Sequence, residues 1–183
     1  DYKHQLNIIS KSTATHSTLV LDNNSAVKFE RDKYGHMLVS KNFKIFNKEI
    51  KFENNFWLLK ASHDAYSKSK GVVHERKIQY FNNNHKLEGC DKLIKTKNFK
   101  SSSFELRFHL LPEIKLTKLL NNESILIESN NAGWKFTCKN HNIDIEKGLY
   151  FGMKNKYLEN KNILISGLTT SEEQNIFWEI SKI

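Results

Sequence analysis

The chain has 183 residues, of which 38% are hydrophobic and 11% aromatic, enough apolar material for one packed domain and too much for wholesale disorder. One proline and seven glycines exclude collagen-like and low-complexity sequences. The formal net charge of +9 suits an anionic partner such as a nucleic acid, an anionic lipid or an acidic polysaccharide, although a lysine-rich composition alone gives the same charge.

The two cysteines and the hydropathy pattern do not identify the cellular compartment of the protein. Cys90 and Cys138 fit neither a zinc motif nor a disulfide framework, and we expect two free buried thiols, with one bridge as the alternative. No apolar run approaches the ~20 residues of a membrane span, so we expect no membrane partner. The chain begins at Asp1 without Met or a signal peptide, and we therefore expect it to be a fragment or a processed product of a longer protein.

Short apolar or alternating segments recur along the chain, separated by Asn, Gly, Ser and Lys clusters, and each predicts a β-strand. In chain order these segments are residues 17–21, 43–46, 56–61, 72–81, 104–111, 124–128, 133–138, 143–146, 162–166 and 175–180. Asparagines at 82–84, 121–122 and 130–131 predict turns, and residues 116–120 predict one helical turn. The pattern predicts an all-β antiparallel sandwich of two packed sheets over residues 13–183, after a polar, loosely ordered lead-in at 1–12.

Three polar segments contain candidate functional residues. His16 stands at the start of the first strand, where it could bind a metal or lie on the surface. His63, Asp64 and Tyr66 carry the groups of acid–base chemistry, but neighbours on a strand point to opposite faces, so a turn that fastens the next strand is the alternative.

His74 and Arg76 share the more apolar face of the strand at 72–81. A partly buried guanidinium needs a carboxylate, so Arg76 forms either a structural ion pair or a substrate clamp. The candidate carboxylates are Asp64, Glu88 and Asp91. Four aromatic residues could stack on sugar rings or belong to the core: Trp57, Trp134, Tyr150 and Trp178.

Several segments together resemble the bacterial heparinase II/III-like proteins. In order, they are residues 15–25 (THSTLVLDNNS), 61–66 (ASHDAY), 71–76 (GVVHER), 87–93 (LEGCDKL), 106–112 (LRFHLLP) and 133–136 (GWKF). Ala65 stands where the family usually has Gly, and Glu75 where it often has Arg. The resemblance runs from about Thr13 to the end of the chain.

This resemblance implies a β-sandwich that follows an α/α toroid in a lyase that cleaves uronic-acid polysaccharides by elimination. The main catalytic residues would precede Asp1, so the isolated chain is expected to be inactive and its own catalytic residues stay unknown. His63, Tyr66, His74 and Arg76 are the substrate-binding candidates. The expected partners are an anionic polysaccharide and the N-terminal toroid, without nucleic acid. The resemblance favours the periplasm or the outside of the cell, with the cytoplasm as the alternative.

The resemblance also implies a metal. Heparinase II-type members bind one through a His-x-His-x-Asp stretch and a later histidine, and only the later histidine is matched here, by His16. We therefore expect one divalent ion, Zn²⁺ or Ca²⁺, in the full-length protein and none in this chain alone. The alternative function is a non-catalytic carbohydrate-binding or structural module.

Overall fold

The computed structural model describes the chain except for residues 1–5, 7, 32, 35–36, 41–42, 130–131, 154–155 and 171, and it describes only the backbone of residues 31 and 37–40. The predicted turn at 130–131 therefore lies outside the described residues, as does half of the predicted lead-in. No described helix is long and apolar enough to cross a membrane.

The described residues form fourteen strands. They are β1 Leu19–Leu21, β2 Lys28–Arg31, β3 Met37–Ser40, β4 Ile45–Phe52, β5 Phe56–His63, β6 Val72–Phe81, β7 Lys86–Lys95, β8 Ser103–His109, β9 Lys115–Lys118, β10 Ser124–Ser129, β11 Ala132–Thr137, β12 Ile143–Met153, β13 Lys156–Leu168 and β14 Gln174–Lys182. A 3₁₀ turn at Thr13–Thr15 precedes β1, and a one-turn helix at Ser67–Lys70 joins β5 to β6.

Two antiparallel sheets form the sandwich. The large sheet has the order β4-β5-β6-β7-β14-β11-β10-β9, and the small sheet has the order β1-β8-β13-β12. A separate hairpin joins β2 to β3. This arrangement confirms the predicted all-β antiparallel sandwich.

The core lies between the sheets and follows the period-two alternation of the strands. In β8, Phe104, Leu106 and Phe108 are buried while their neighbours are half-exposed. Phe108 packs edge-on against Phe136 and Trp178 of the large sheet, with ring centroids 4.8 Å apart in each pair. Burying each such side chain stabilises the fold by about 1.5–3 kcal/mol.

Four strands were not predicted from the sequence, namely β2, β3, β7 and β9, and one predicted element was wrong. Residues 116–120 form no helical turn, because 115–118 pair with β10 as strand β9. β7 was missed because three of its inward positions are Gly89, Asp91 and Leu93, which give no apolar alternation. The hairpin between β6 and β7 is confirmed, but its left-handed residue is His85 and not an asparagine. Both cysteines are free, with Cys138 buried and Cys90 half-buried.

The inner face of the large sheet is left partly uncovered at β4 and β5. Cross-strand partners share a face, and Leu59 pairs with both Ile50 and Ile78 on the same side as His74. Ile50 and Phe52 are nevertheless 64% and 75% exposed. We call this region the open face; its residues are Phe43, Ile45, Ile50, Phe52, Leu59 and Ile78.

Candidate functional site: a buried histidine–histidine–aspartate chain under an apolar cleft

A buried polar cluster is assembled from four neighbouring strands of the large sheet. β5 ends at His63, which lies opposite His74 of β6 in the antiparallel register. Arg76 lies opposite Asp91 of β7 in the same way. Trp178 of β14 completes the cluster from the other side of β7.

Asp91 is the centre of this cluster. Its carboxylate is fully buried and accepts hydrogen bonds at Oδ1 from His74 Nε2 and Arg76 Nε, both at 2.7 Å. At Oδ2 it accepts from Arg76 Nη2 at 3.1 Å and from Trp178 Nε1 at 2.8 Å. Burial raises the pKa of Asp91, but the charge of Arg76 and the hydrogen bond from His74 outweigh burial and hold the pKa at about 2.

Asp91 orients both histidine rings. His74 Nε2 donates to the carboxylate, and in the neutral form of His74 the Nδ1 atom is an acceptor. His63 Nε2 lies 3.1 Å from that nitrogen and donates to it in this form. His63 Nδ1 remains as the acceptor, with the backbone N–H of Ala65 at 3.4 Å. A directed chain of hydrogen bonds thus runs from His63 at the cleft to the buried carboxylate.

His63 is held neutral in the folded protein. Burial is the main cause, and the neighbouring His74 adds to it, so the pKa of His63 falls to about 4. A neutral imidazole with its Nδ1 lone pair free of a proton is a potential base or acceptor at pH 7.

The lowered pKa of His63 predicts that the folded chain loses stability in acid because of this one residue. The folded pKa lies below the unfolded value of about 6.5, so the contribution of His63 to stability is complete above pH 6.5 and is lost as the pH falls toward 4. Between pH 7 and 4.5 we expect a loss of about 2 kcal/mol from this group. Urea unfolding of the chain at both pH values measures it.

The matched variant is His63→Gln, whose amide keeps a donor but does not titrate. It should lose about 2 kcal/mol less than the wild type across the same pH interval. Asp91 stays ionised throughout, because its pKa is about 2. Identical pH dependence in the two proteins would contradict a depressed pKa at His63.

An apolar cleft of about 440 Å³ opens above the histidines. Its walls come from the open face, and its polar side chains include His63, His74 and Arg76 at one end and Lys48 and Glu49 at another part of the wall. Such a cavity, apolar with a few convergent polar groups, is the usual form of a binding site.

His16 stands beside the same cleft. It follows the turn Thr13–Thr15 and is exposed. His16 and His63 line one depression together with Phe43, and Arg76 Nη1 donates to the carbonyl of Ser17, the residue after His16. The Asp91 cluster therefore holds the backbone next to His16 in place.

The described residues do not suffice for a metal site. No group of three His, Cys, Asp or Glu side chains able to hold an ion occurs among them. Zinc sites use three or four protein ligands, and His16 supplies one imidazole. A metal at His16 would need its other ligands from outside this part of the chain.

The four predicted substrate-binding residues differ in how accessible their side chains are from the cleft. His63 and Arg76 are partly accessible beside the cleft. His74 is 3% exposed and has both ring nitrogens hydrogen-bonded, which suits it to orienting His63. Tyr66 is buried, and its hydroxyl donates to the carbonyls of Leu19 and Asn24, so this geometry assigns it a packing role and gives no support to substrate contact.

The other candidate residues make contacts that stabilise the fold. Arg76 pairs with Asp91, one of the three predicted carboxylates. Asp64 instead accepts from the backbone N–H of Lys44 at 2.6 Å, which fastens the turn to the start of β4. Trp178 is a core residue, and its hydrogen bond to Asp91 was not foreseen, because only the β7–β14 pairing brings the two together.

Comparison with known proteins gives one family and a set of solved structures. The model of the heparinase II/III-like C-terminal family matches residues 2–179. The fold is similar to a heparan sulfate lyase, HepC, from Pedobacter heparinus, at a TM-score of 0.77 and 16% identity over 98% of this chain and 26% of that one. It is also similar to the heparinase III BT4657 gene product, at a TM-score of 0.72 and 14% identity over 98% of this chain and 26% of that one.

A further heparinase III structure has a TM-score of 0.68 and 13% identity, over 98% of this chain and 25% of that one. No curated protein sequence matches the chain. The chain spans about a quarter of the length of the lyase structures that it resembles.

Proposed function

Because the chain belongs to the heparinase II/III-like C-terminal domain family, we propose that it is the C-terminal β-sandwich of a polysaccharide lyase. The substrate is a uronic-acid-containing, glycosaminoglycan-like polysaccharide. The fold shared with solved heparan sulfate lyases supports this assignment, and the chain corresponds to about a quarter of each of them.

The proposed reaction is a β-elimination. A base removes the proton from the carbon beside the uronate carboxylate, the bond to the departing glycosidic oxygen breaks, and a carbon–carbon double bond forms in the ring. An acid donates a proton to the departing oxygen, which leaves as a hydroxyl group. Neutralisation of the carboxylate stabilises the charge that develops on it. In our proposal an N-terminal toroid supplies the main catalytic residues, and the sandwich completes the site at its edge.

The open face is the observation that carries this proposal. Contiguous exposed apolar surface is typical of a ligand groove or of a contact with another protein unit, and here it adjoins a cleft whose polar end contains His63 and Arg76. A toroid seated against the open face would bury Ile50 and Phe52 and would bring its catalytic groups next to the cleft. His63 would then form part of the wall of the joint substrate site.

We also propose that His16 contributes one ligand to a divalent metal ion at this junction. The ion, Zn²⁺ or Ca²⁺, would take its remaining ligands from the toroid side. His16 is exposed beside the cleft, and its neighbour Ser17 is held by Arg76, so the imidazole is accessible on a fixed piece of backbone.

The test is His16→Ala in the longer protein that carries this chain. We expect metal content and turnover of an acidic polysaccharide to fall together, turnover by about tenfold or more, because one ligand of a small set is lost. The control is His85→Asn, which removes an exposed hairpin histidine and keeps a residue that tolerates positive φ. In the isolated chain, His16→Ala should change stability by less than about 0.5 kcal/mol, since His16 is exposed. Unchanged metal and turnover in the longer protein would remove His16 from the site.

A further inference from the structure

Two loops that are distant in sequence meet at one end of the sandwich, and both are rich in lysine. The helix Ser67–Lys70 precedes β6, and the loop at 96–102 follows β7. The backbone N–H of Lys100 donates to the carbonyl of Lys70 at 2.9 Å, and that of Thr96 donates to Gly71 at 2.8 Å. The backbone segments that carry the lysines of both loops are therefore adjacent, and Lys95 ends β7 directly before the second loop.

Most of these lysines have no acidic partner. Lys70 pairs with Asp22, but Lys68, Lys95, Lys97 and Lys100 are exposed and make no ion pair within the part of the chain that the structure describes. Other lysines of the large sheet do have acidic partners: on its outer side, Lys60, Lys86 and Lys92 each pair with a glutamate. We call the four unpaired residues the lysine surface.

The backbone under the lysine surface is held in one arrangement. Gly71 ends the short helix in the left-handed conformation, with φ of 67°. A Cβ at this position would stand 2.2 Å from the carbonyl carbon of Asn98, so the two loops are in direct backbone contact. The ammonium group of Lys95 lies over the ring of Phe99, 5.8 Å from its centroid. The charges are thus positioned by the fold, and loop movement is not needed to gather them.

We propose that the lysine surface binds a segment of a sulfated or carboxylated polysaccharide, as a subsite separate from the His63 cleft. The proposal rests on the proposed function for the class of polysaccharide. An extended polyanion suits exposed cations on adjoining loops, because each ammonium can meet an acidic group without burial. A nucleic acid is the poorer fit, since single-stranded nucleic acids also need exposed aromatic rings for base stacking, and Phe99 is half-buried beneath Lys95.

The test measures binding of a fluorescent heparin octasaccharide to the 183-residue chain at low ionic strength. The test variant changes Lys68, Lys95, Lys97 and Lys100 to Gln. The control variant changes four other exposed lysines to Gln, namely Lys139, Lys147, Lys156 and Lys182, which also make no ion pair among the described residues. Both variants lose four positive charges, so only position differs. Thermal melting checks that both remain folded.

We expect the test variant to bind at least about tenfold more weakly and the control to stay within about twofold of the wild type. Binding should also weaken as salt is added, because exposed charges are screened. An equal loss in both variants, or no loss in either, would overturn the proposal. So would equally tight binding of a single-stranded DNA of matched charge. Failure here leaves the proposed function standing, because that function depends on turnover by the longer protein and not on binding by this chain.

Discussion

Replacing Asp91 by Asn is expected to lower the free energy of unfolding of the chain by about 3–5 kcal/mol. The carboxylate is fully buried and accepts four hydrogen bonds, two of them from the guanidinium of Arg76. An amide has one oxygen, and its NH₂ group would face a donor where the second carboxylate oxygen now accepts. The change also leaves the charge of Arg76 without its counter-ion. Urea denaturation at pH 7 measures the loss.

The matched control is Asp144→Asn. This carboxylate also pairs with a cation, Lys118, at 2.8 Å, but its side chain is 60% exposed. An exposed pair contributes at most about 1 kcal/mol, so this variant should be nearly as stable as the wild type. A loss below about 1 kcal/mol for Asp91→Asn would show that the cluster around Asp91 does not hold the four strands together.

A second variant separates the charge from the hydrogen bonds. In the Arg76→Gln, Asp91→Asn double variant neither member of this ion pair is charged, so we expect it to recover at least about 1 kcal/mol of the stability lost by Asp91→Asn alone. Strict additivity of the two substitutions would mean that the ion pair is not the source of the effect.

Period-two alternation was enough to predict part of the site. It placed His74 and Arg76 on one face of β6 and required a carboxylate for Arg76, and Asp91 is that carboxylate. It could not place His63 opposite His74, because that contact depends on the register between β5 and β6. Nor could it predict the contact of Trp178, because Trp178 and Asp91 have a sequence separation of 87 and meet only through the pairing of β14 with β7.

The lysine surface and the open face could not be predicted from the sequence. The lysines are dispersed along the chain, and only the backbone contacts between the loops at Gly71 and Lys100 gather four of them. In the sequence, β4 and β5 show the alternation of an ordinary strand, and this pattern does not reveal that the open face is exposed. Its exposure follows from the sheet sizes, since eight strands cannot be covered by four.

The largest expected effect concerns turnover. The isolated chain should release at least about a thousandfold less product from an acidic polysaccharide than the longer protein, because positioned acid–base and charge-stabilising groups each contribute about 10²–10⁴ in rate and the main ones are proposed to lie N-terminal to this chain. His63 offers a neutral imidazole, and the guanidinium of Arg76 beside it is already paired with Asp91.

The most direct test of a lyase built from two units follows the ultraviolet absorbance of the unsaturated uronate product, for the isolated chain and for the longer protein under the same conditions. We expect a steady rise for the longer protein and none above background for the chain alone. Turnover by the isolated chain close to that of the longer protein would contradict the need for a second unit, and no product from either would leave a non-catalytic carbohydrate-binding sandwich as the function.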